Sequence, residues 1–377
     1  MKNKAKIFYT AVLVSSVFLM TGCLGDKAQQ VDTLLINGQV YTGDNIQAQA
    51  LDVAICGNHI CGLYSSGKHQ ITAKNIVDVS GKVVSPGFID PHTHTLEELY
   101  SQDKNHNLNY LTQGVTTVVN GNDGEGPVDI AKTAAELEAN GIGTNVALLV
   151  GHGSVREQVM GRAQRFANAE ELAEMSQLLT QAMEAGALGL STGLYYVPGS
   201  FANTEEVVTL AKVASKYQGI YDTHLRDEST FNIGFIAALE EAINIAEAAN
   251  IHLHLAHIKA LGVDVWAQSS LAIAKIEHAK AKGISISADQ YPWLASGTKL
   301  HSAVMPKWVM ADSKQAFHQR LNDRNLTEKL TREIKENIRR RGGPTSLLIT
   351  AFQDTELVGL TLAQVAKKRA IDPVTAA

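Results

Sequence analysis

Pro86-Gly87-Phe88-Ile89-Asp90-Pro91-His92-Thr93-His94 marks a change of rhythm in the chain. A short apolar run ends at Asp90-Pro91, and two histidines one residue apart follow at once. On an extended chain, side chains at i and i+2 point the same way. Two imidazoles at the end of a strand can therefore share one metal ion.

Downstream of Pro86, short apolar runs alternate with longer helical patterns. The runs are 87–90, 116–119, 145–150, 188–191, 220–223, 251–256 and 284–288. Between them, segments such as 170–185, 204–217, 237–249 and 270–282 carry Ala, Leu, Glu and Lys at helical spacing. This alternation predicts a parallel sheet with helical crossovers. No dinucleotide glycine motif follows the first run, so an α/β fold of the (β/α)8 TIM-type barrel is expected over 86–377. An eighth strand is then owed. Residues 347–351 are a candidate, but they follow a long segment, about 295–345, that reads as an insertion.

Upstream of Pro86, residues 32–85 alternate short apolar runs with turn residues such as Asn37-Gly38 and Ser80-Gly81. That spacing predicts a small β domain, β-sandwich-like, at the N-terminal side. Cys56 and Cys61 flank Gly57-Asn58-His59-Ile60, read as a four-residue turn that sets the two cysteines across from each other. A disulfide and a pair of small buried thiols both fit.

In a barrel of this kind the C-terminal ends of the strands form the active face. His224 ends the fifth predicted strand and His257 the sixth, so three strands deliver His92, His94, His224 and His257 to one rim. By alternation from His257, His252 and His254 point outward to the helices. The composition is globular, with 45% hydrophobic and 19% charged residues and a net charge of −5. That balance argues against a nucleic-acid partner. The one basic run, Arg339-Arg340-Arg341, reads as a solvated helix end.

These residues carry a family resemblance. The segment from Pro86 to His94 resembles the opening motif of the amidohydrolase superfamily. Gly121-Asn122-Asp123-Gly124, Gly151-His152-Gly153, Tyr196-Val197-Pro198-Gly199, His224-Leu225-Arg226-Asp227-Glu228, His257-Ile258-Lys259 and Asp289-Gln290-Tyr291-Pro292 resemble segments of D-aminoacylases, the N-acyl-D-amino-acid deacylases. The resemblance runs from about residue 32 to the end. It implies a TIM barrel joined to a small β domain, and metal-assisted amide hydrolysis with one or two divalent ions, zinc first. It also implies metal ligation by His92, His94, His224 and His257, and substrate binding by Tyr196 and Lys259. A core aromatic at Tyr196 and a loop lysine at Lys259 are the plainer readings.

Asp123 stands where the family often has cysteine. A carboxylate also binds zinc, as a harder donor, and an Asn-Asp-Gly turn is the plainer reading. Residues 188–193 hold no lysine, which counts against the hydantoinase and dihydroorotase branch. The catalytic residue stays unknown. The resemblance puts an aspartate on the eighth strand, in a Ser-Asp-Gly-like segment that is absent after residue 300. By that resemblance the barrel is incomplete at its C-terminal side. Asp354 is a weak substitute.

The start of the chain reads as a targeting segment. Lys2, Lys4 and Lys6 precede an apolar stretch, 7–20, and then Thr21-Gly22-Cys23. This resembles a bacterial lipoprotein signal over 1–23, lipidated at Cys23, followed by a polar linker, 24–31. Leu24 after the cysteine points to an outer-membrane anchor facing the periplasm. The expected partner is a small N-acyl-D-amino acid or a D-residue peptide, with the membrane touched only through the lipid. The rival expectations are a non-catalytic metal-binding lipoprotein remnant and a cyclic-amide hydrolase.

Overall fold

The structure is a computed structural model that describes residues 29–44, 46–68 and 70–377. The signal segment, Cys23 and most of the linker lie outside the described residues. The chain divides into two compact units, one up to Pro86 and one from Gly87.

The first unit is one five-stranded sheet. Its strands are β1 (Gln29–Val40), β2 (Gln49–Cys56), β3 (His59–Ser65), β4 (Ile71–Asp78) and β5 (Val83–Val84). The order is β3-β2-β1-β4, with β5 also on β1. A second facing sheet is absent among the described residues, so the sandwich expectation is corrected to a single sheet. Asn37-Gly38 is a bulge within β1 and not a turn. Asn37 takes the left-handed region at φ 63°, and its N–H donates to the Asp52 carboxylate at 3.1 Å. The turn between the cysteines is tighter than expected. Only Gly57-Asn58 separates β2 from β3, with Gly57 at φ 59°. Cys56 and Cys61 are joined by a disulfide.

The second unit is mixed α/β. Seven parallel strands form one curled sheet in sequence order: β6 (Phe88–Asp90), β7 (Val115–Asn120), β8 (Asn145–Gly151), β9 (Gly189–Gly193), β10 (Ile220–His224), β11 (His252–Leu255) and β12 (Ile286–Ala288). Helices lie between them, including Ala169–Glu184, Thr204–Lys216, Phe235–Ala249 and Ser269–Ala281. Several begin where an Asn or Asp side chain caps a free backbone N–H, as Asn168 does for Glu171. One face of the sheet is apolar. Leu190, Tyr221, Leu253 and Leu255 are buried there against Met175, Leu179, Leu210 and Leu239 of the helices. Burying such side chains is the main favourable term in the unit's stability.

The insertion is helical, with Leu300–Val304, Lys314–Asn322 and Thr327–Arg340, and it packs its own apolar cluster around Val304, Ile334 and Ile338. Residues 347–351 form no strand. Leu348 makes a single bridge to Thr361, and Asp354 caps the short turn Thr355–Leu357. Among the described residues no helix is long and apolar enough to cross a membrane.

Candidate metal centre

Every predicted site residue of the second unit lies just beyond the C-terminal end of a strand or at it. His92 and His94 follow β6, Asp123 follows β7, Tyr196 follows β9, His224 closes β10, and His257 and Lys259 follow β11. All seven lie in the wall of one cavity of about 510 Å3, together with Lys259's neighbour in space, Glu228.

The nitrogens converge. Nε2 of His92 and Nε2 of His94 lie 3.3 Å apart, and Nδ1 of His224 lies 2.9 Å from Nε2 of His257. Asp123 sits between the two pairs. Its Oδ2 is 3.4 Å from His94, and its Oδ1 is 3.2 Å from His257, 3.6 Å from His224 and 3.7 Å from His92. Two ligand groups result, His92–His94–Asp123 and Asp123–His224–His257. Their spacing is close to the roughly 3.4 Å edge of a tetrahedron around zinc with bonds of about 2.1 Å. Asp123 Oδ1 is buried with no hydrogen-bond donor. That orphaned oxygen and the facing imidazole nitrogens fit a divalent cation.

Electrostatics agree. Burial alone would raise the Asp123 carboxyl, but the four imidazoles outweigh it and hold the group well below its usual range. Burial depresses His257, yet Asp123 and Glu228 reverse this and raise it to about 10. The spot thus stabilises positive charge, and a cation there would displace the proton.

Local backbone geometry sets this arrangement. Asp123 has φ 59° and His257 φ 35°, both in the left-handed region. Such conformations are costly for non-glycine residues and cluster at functional sites. His257 lies past the last paired residue of β11, so strand alternation does not carry through it. The expectation for His252 and His254 is corrected accordingly. They lie on the polar face of the sheet with Ser287, and His254 pairs with Asp289 at 2.8 Å. Asp289 in turn accepts the His257 N–H at 2.8 Å.

Gly193 shows why β9 ends in glycine. A Cβ there would stand 2.0 Å from the Asp123 carbonyl oxygen. Gly193→Ala is therefore expected to push the Asp123 loop away and weaken zinc binding by about tenfold or more, measured by competition with a chromogenic chelator. Unchanged affinity would show that the loop's position is not set by this contact.

Sequence reasoning missed three residues. Glu228, 2% exposed, lies behind two ligands, with His257 Nδ1 at 3.3 Å and His224 Nε2 at 3.6 Å. Lys259 Nζ binds it at 2.5 Å and also reaches His257 O at 3.0 Å. Lys259 thus orients a ligand as well as lining the mouth. Arg341 is no solvated helix end. Its guanidinium donates to Tyr195 OH at 3.1 Å and to Ala303 O at 3.0 Å, and it lines the cavity. Its signal was a third arginine in a run whose first member, Arg339, pairs outward with Asp264. Tyr195 is buried beside Tyr196 with ring centroids 5.3 Å apart. Burial, then Asp123 and Glu228, push the Tyr196 phenol well above its usual range, so it stays a neutral donor. Asp354 is not in the cavity wall.

Known proteins share this arrangement of chain. Similar to it is a D-aminoacylase of Alcaligenes xylosoxydans xylosoxydans, 34% identical over 296 residues, 72% of this chain and 60% of that one. The chain thus spans less than two thirds of that relative's length. A crystal structure of N-acyl-D-glutamate deacylase from Bordetella bronchiseptica, complexed with zinc and a phosphonate inhibitor, superposes with TM-score 0.74 at 27% identity. That match covers 92% of this chain and 69% of the other. A D-aminoacylase structure with a binuclear metal centre gives TM-score 0.72 at 28% identity, with the same two coverages. The model described as the amidohydrolase family matches residues 75–321, more than half of the sequence, and the chain belongs to that family.

Proposed function

We propose that the chain carries the metal centre of a zinc-dependent deacylase of N-acyl-D-amino acids. The seven-stranded sheet is read as seven strands of a (β/α)8 barrel, with His92, His94, Asp123, His224 and His257 as ligands to one or two ions. The observation that carries the reading is the convergence of four imidazoles and one carboxylate in a cavity that also holds Arg341 and Tyr196.

The chemistry such an ion supplies when bound is polarisation of the scissile carbonyl and a nucleophilic water at neutral pH. The chain's own groups do the rest of the recognition. Arg341 has no carboxylate partner among the described residues and offers its guanidinium edge to the substrate's α-carboxylate, with Lys259 in the same cavity wall. Tyr196, kept neutral, donates its phenol hydrogen toward the amide carbonyl. Glu228 and Asp289 hold His257 through its Nδ1 side and its backbone N–H. Residues 1–23 support an exported, lipid-anchored protein, a location that suits substrates released from D-residue-containing wall peptides.

The test pairs enantiomers on the zinc-loaded chain. N-acetyl-D-alanine is expected to bind about tenfold or more tighter than N-acetyl-L-alanine by calorimetry, and any amine release is expected from the D-form alone and to stop with chelator. Equal binding of both forms, or binding untouched by chelation, would overturn the reading.

A further inference from the structure

The run His224-Leu225-Arg226-Asp227-Glu228 leaves β10 with three charged side chains in succession. All three are buried, Asp227 completely. Each serves a different partner. Arg226 forks onto Glu241 of the helix Phe235–Ala249, with Nε to Oε2 at 2.7 Å and Nη2 to Oε1 at 2.9 Å. Glu228 backs His224 and His257. Asp227 turns into its own loop. Its Oδ1 accepts the Ser229 N–H at 2.8 Å, and its Oδ2 accepts those of Asn232 at 2.6 Å and Gly234 at 3.0 Å. It does not line the metal cavity.

A carboxylate buried to this depth is costly unless its oxygens are satisfied. Here three backbone donors from one loop do so, and the loop 227–234 closes around a single side chain. Glu228 lies inside that loop, next to the carboxylate and before its first donor. Its backbone is fixed from the other side as well. The Glu228 carbonyl accepts the Leu261 N–H at 2.8 Å, and the Ser229 carbonyl accepts the Phe235 N–H at 2.9 Å. Held at both neighbours, Glu228 presents its own carboxylate to Lys259 Nζ at 2.5 Å and to His257 Nδ1 at 3.3 Å.

We propose that Asp227 is a positioning residue for the metal centre, which acts by holding Glu228 against His224 and His257. Among the described residues no hydrogen bond or ion pair joins Asp227 itself to a ligand, so its effect passes through the loop. The inference rests on the reading of those histidines as zinc ligands. A group that orients a ligating imidazole typically contributes about tenfold to a hundredfold in metal affinity. Losing the carboxylate of Asp227 frees the loop and lets Glu228 leave that place.

The test is a double-mutant cycle on the zinc affinity of the full chain, read by competition with a chromogenic chelator. Asp227→Ala and Glu228→Gln are each expected to weaken binding about tenfold or more. Because Asp227 acts through Glu228, the double variant is expected to bind no more weakly than the weaker of the two single variants. If Asp227→Ala does not fold, Asp227→Asn, which keeps one acceptor oxygen, takes its place in the cycle with the same expected pattern. Native affinity in the Asp227 variant would overturn the inference. So would losses that multiply in the double variant, the mark of two independent effects, as a general loss of stability would give. Either of these results leaves the deacylase reading in place. A native chain that binds no zinc would overturn that reading and the inference with it.

Discussion

Replacing Asp123 by alanine is expected to weaken zinc binding at least ~100-fold, more than the 10–100-fold typical of losing a residue that merely supports a ligand. Asp123 is the one residue common to both ligand groups, and its carboxylate lies within 3.7 Å of all four imidazoles. Without it, both ligand groups lose their shared donor and the site loses one negative charge. Asp123→Cys is expected to keep tight binding, because a thiolate restores the charge, but to shift preference toward softer ions such as cadmium. Competition with a chromogenic chelator measures both. An alanine variant with near-native affinity would show that Asp123 is only a turn residue.

The second large effect is on stability. Arg156→Met is expected to destabilise the second unit by roughly 3–5 kcal/mol, the cost of breaking a buried ion pair from one side. Arg156 is fully buried and Glu206 is 3% exposed. Arg156 Nη1 binds the Glu206 carboxylate at 2.6 Å, and His152 Nε2 lies 2.8 Å from the same oxygen. Burial raises the Glu206 carboxyl, but His152 and Arg156 outweigh it and lower it from 4.5 to about 2. A depressed carboxyl contributes stability above its unfolded value and loses it as pH falls through the folded one. The gap between native and variant chains is therefore expected to narrow as pH drops from about 4.5 toward 2. Urea denaturation across that range measures it. A constant gap would mean that Arg156 acts through packing and not through charge.

Much of the fold was legible, because strand and helix periods differ so plainly in this chain. All seven strands of the curled sheet fall on the predicted runs, and Thr204–Lys216 differs from its predicted helix by one residue. The first unit was read less well. The bulge at Asn37 and the two-residue turn at Gly57 depend on left-handed backbone that composition does not specify. At the site, His92, His94, His224 and His257 were legible because each sits at a strand end. His254 was misplaced because alternation was carried through His257, which lies in a turn. Glu228 and Arg341 were missed because their roles depend on which loops meet. Arg341 reaches the cavity only through the insertion, whose path no local pattern in residues 295–345 reveals.

The most direct test of the central claim is zinc X-ray absorption on the 377-residue chain after metal loading and removal of loosely bound ions. At least one ion per chain is expected, with nitrogen and oxygen ligands at about 2.0–2.1 Å, histidine outer-shell scattering and no sulfur at about 2.3 Å. That spectrum should be lost on substitution of His224 and His257. A chain that retains no zinc, or a spectrum with sulfur and without imidazole, would contradict it.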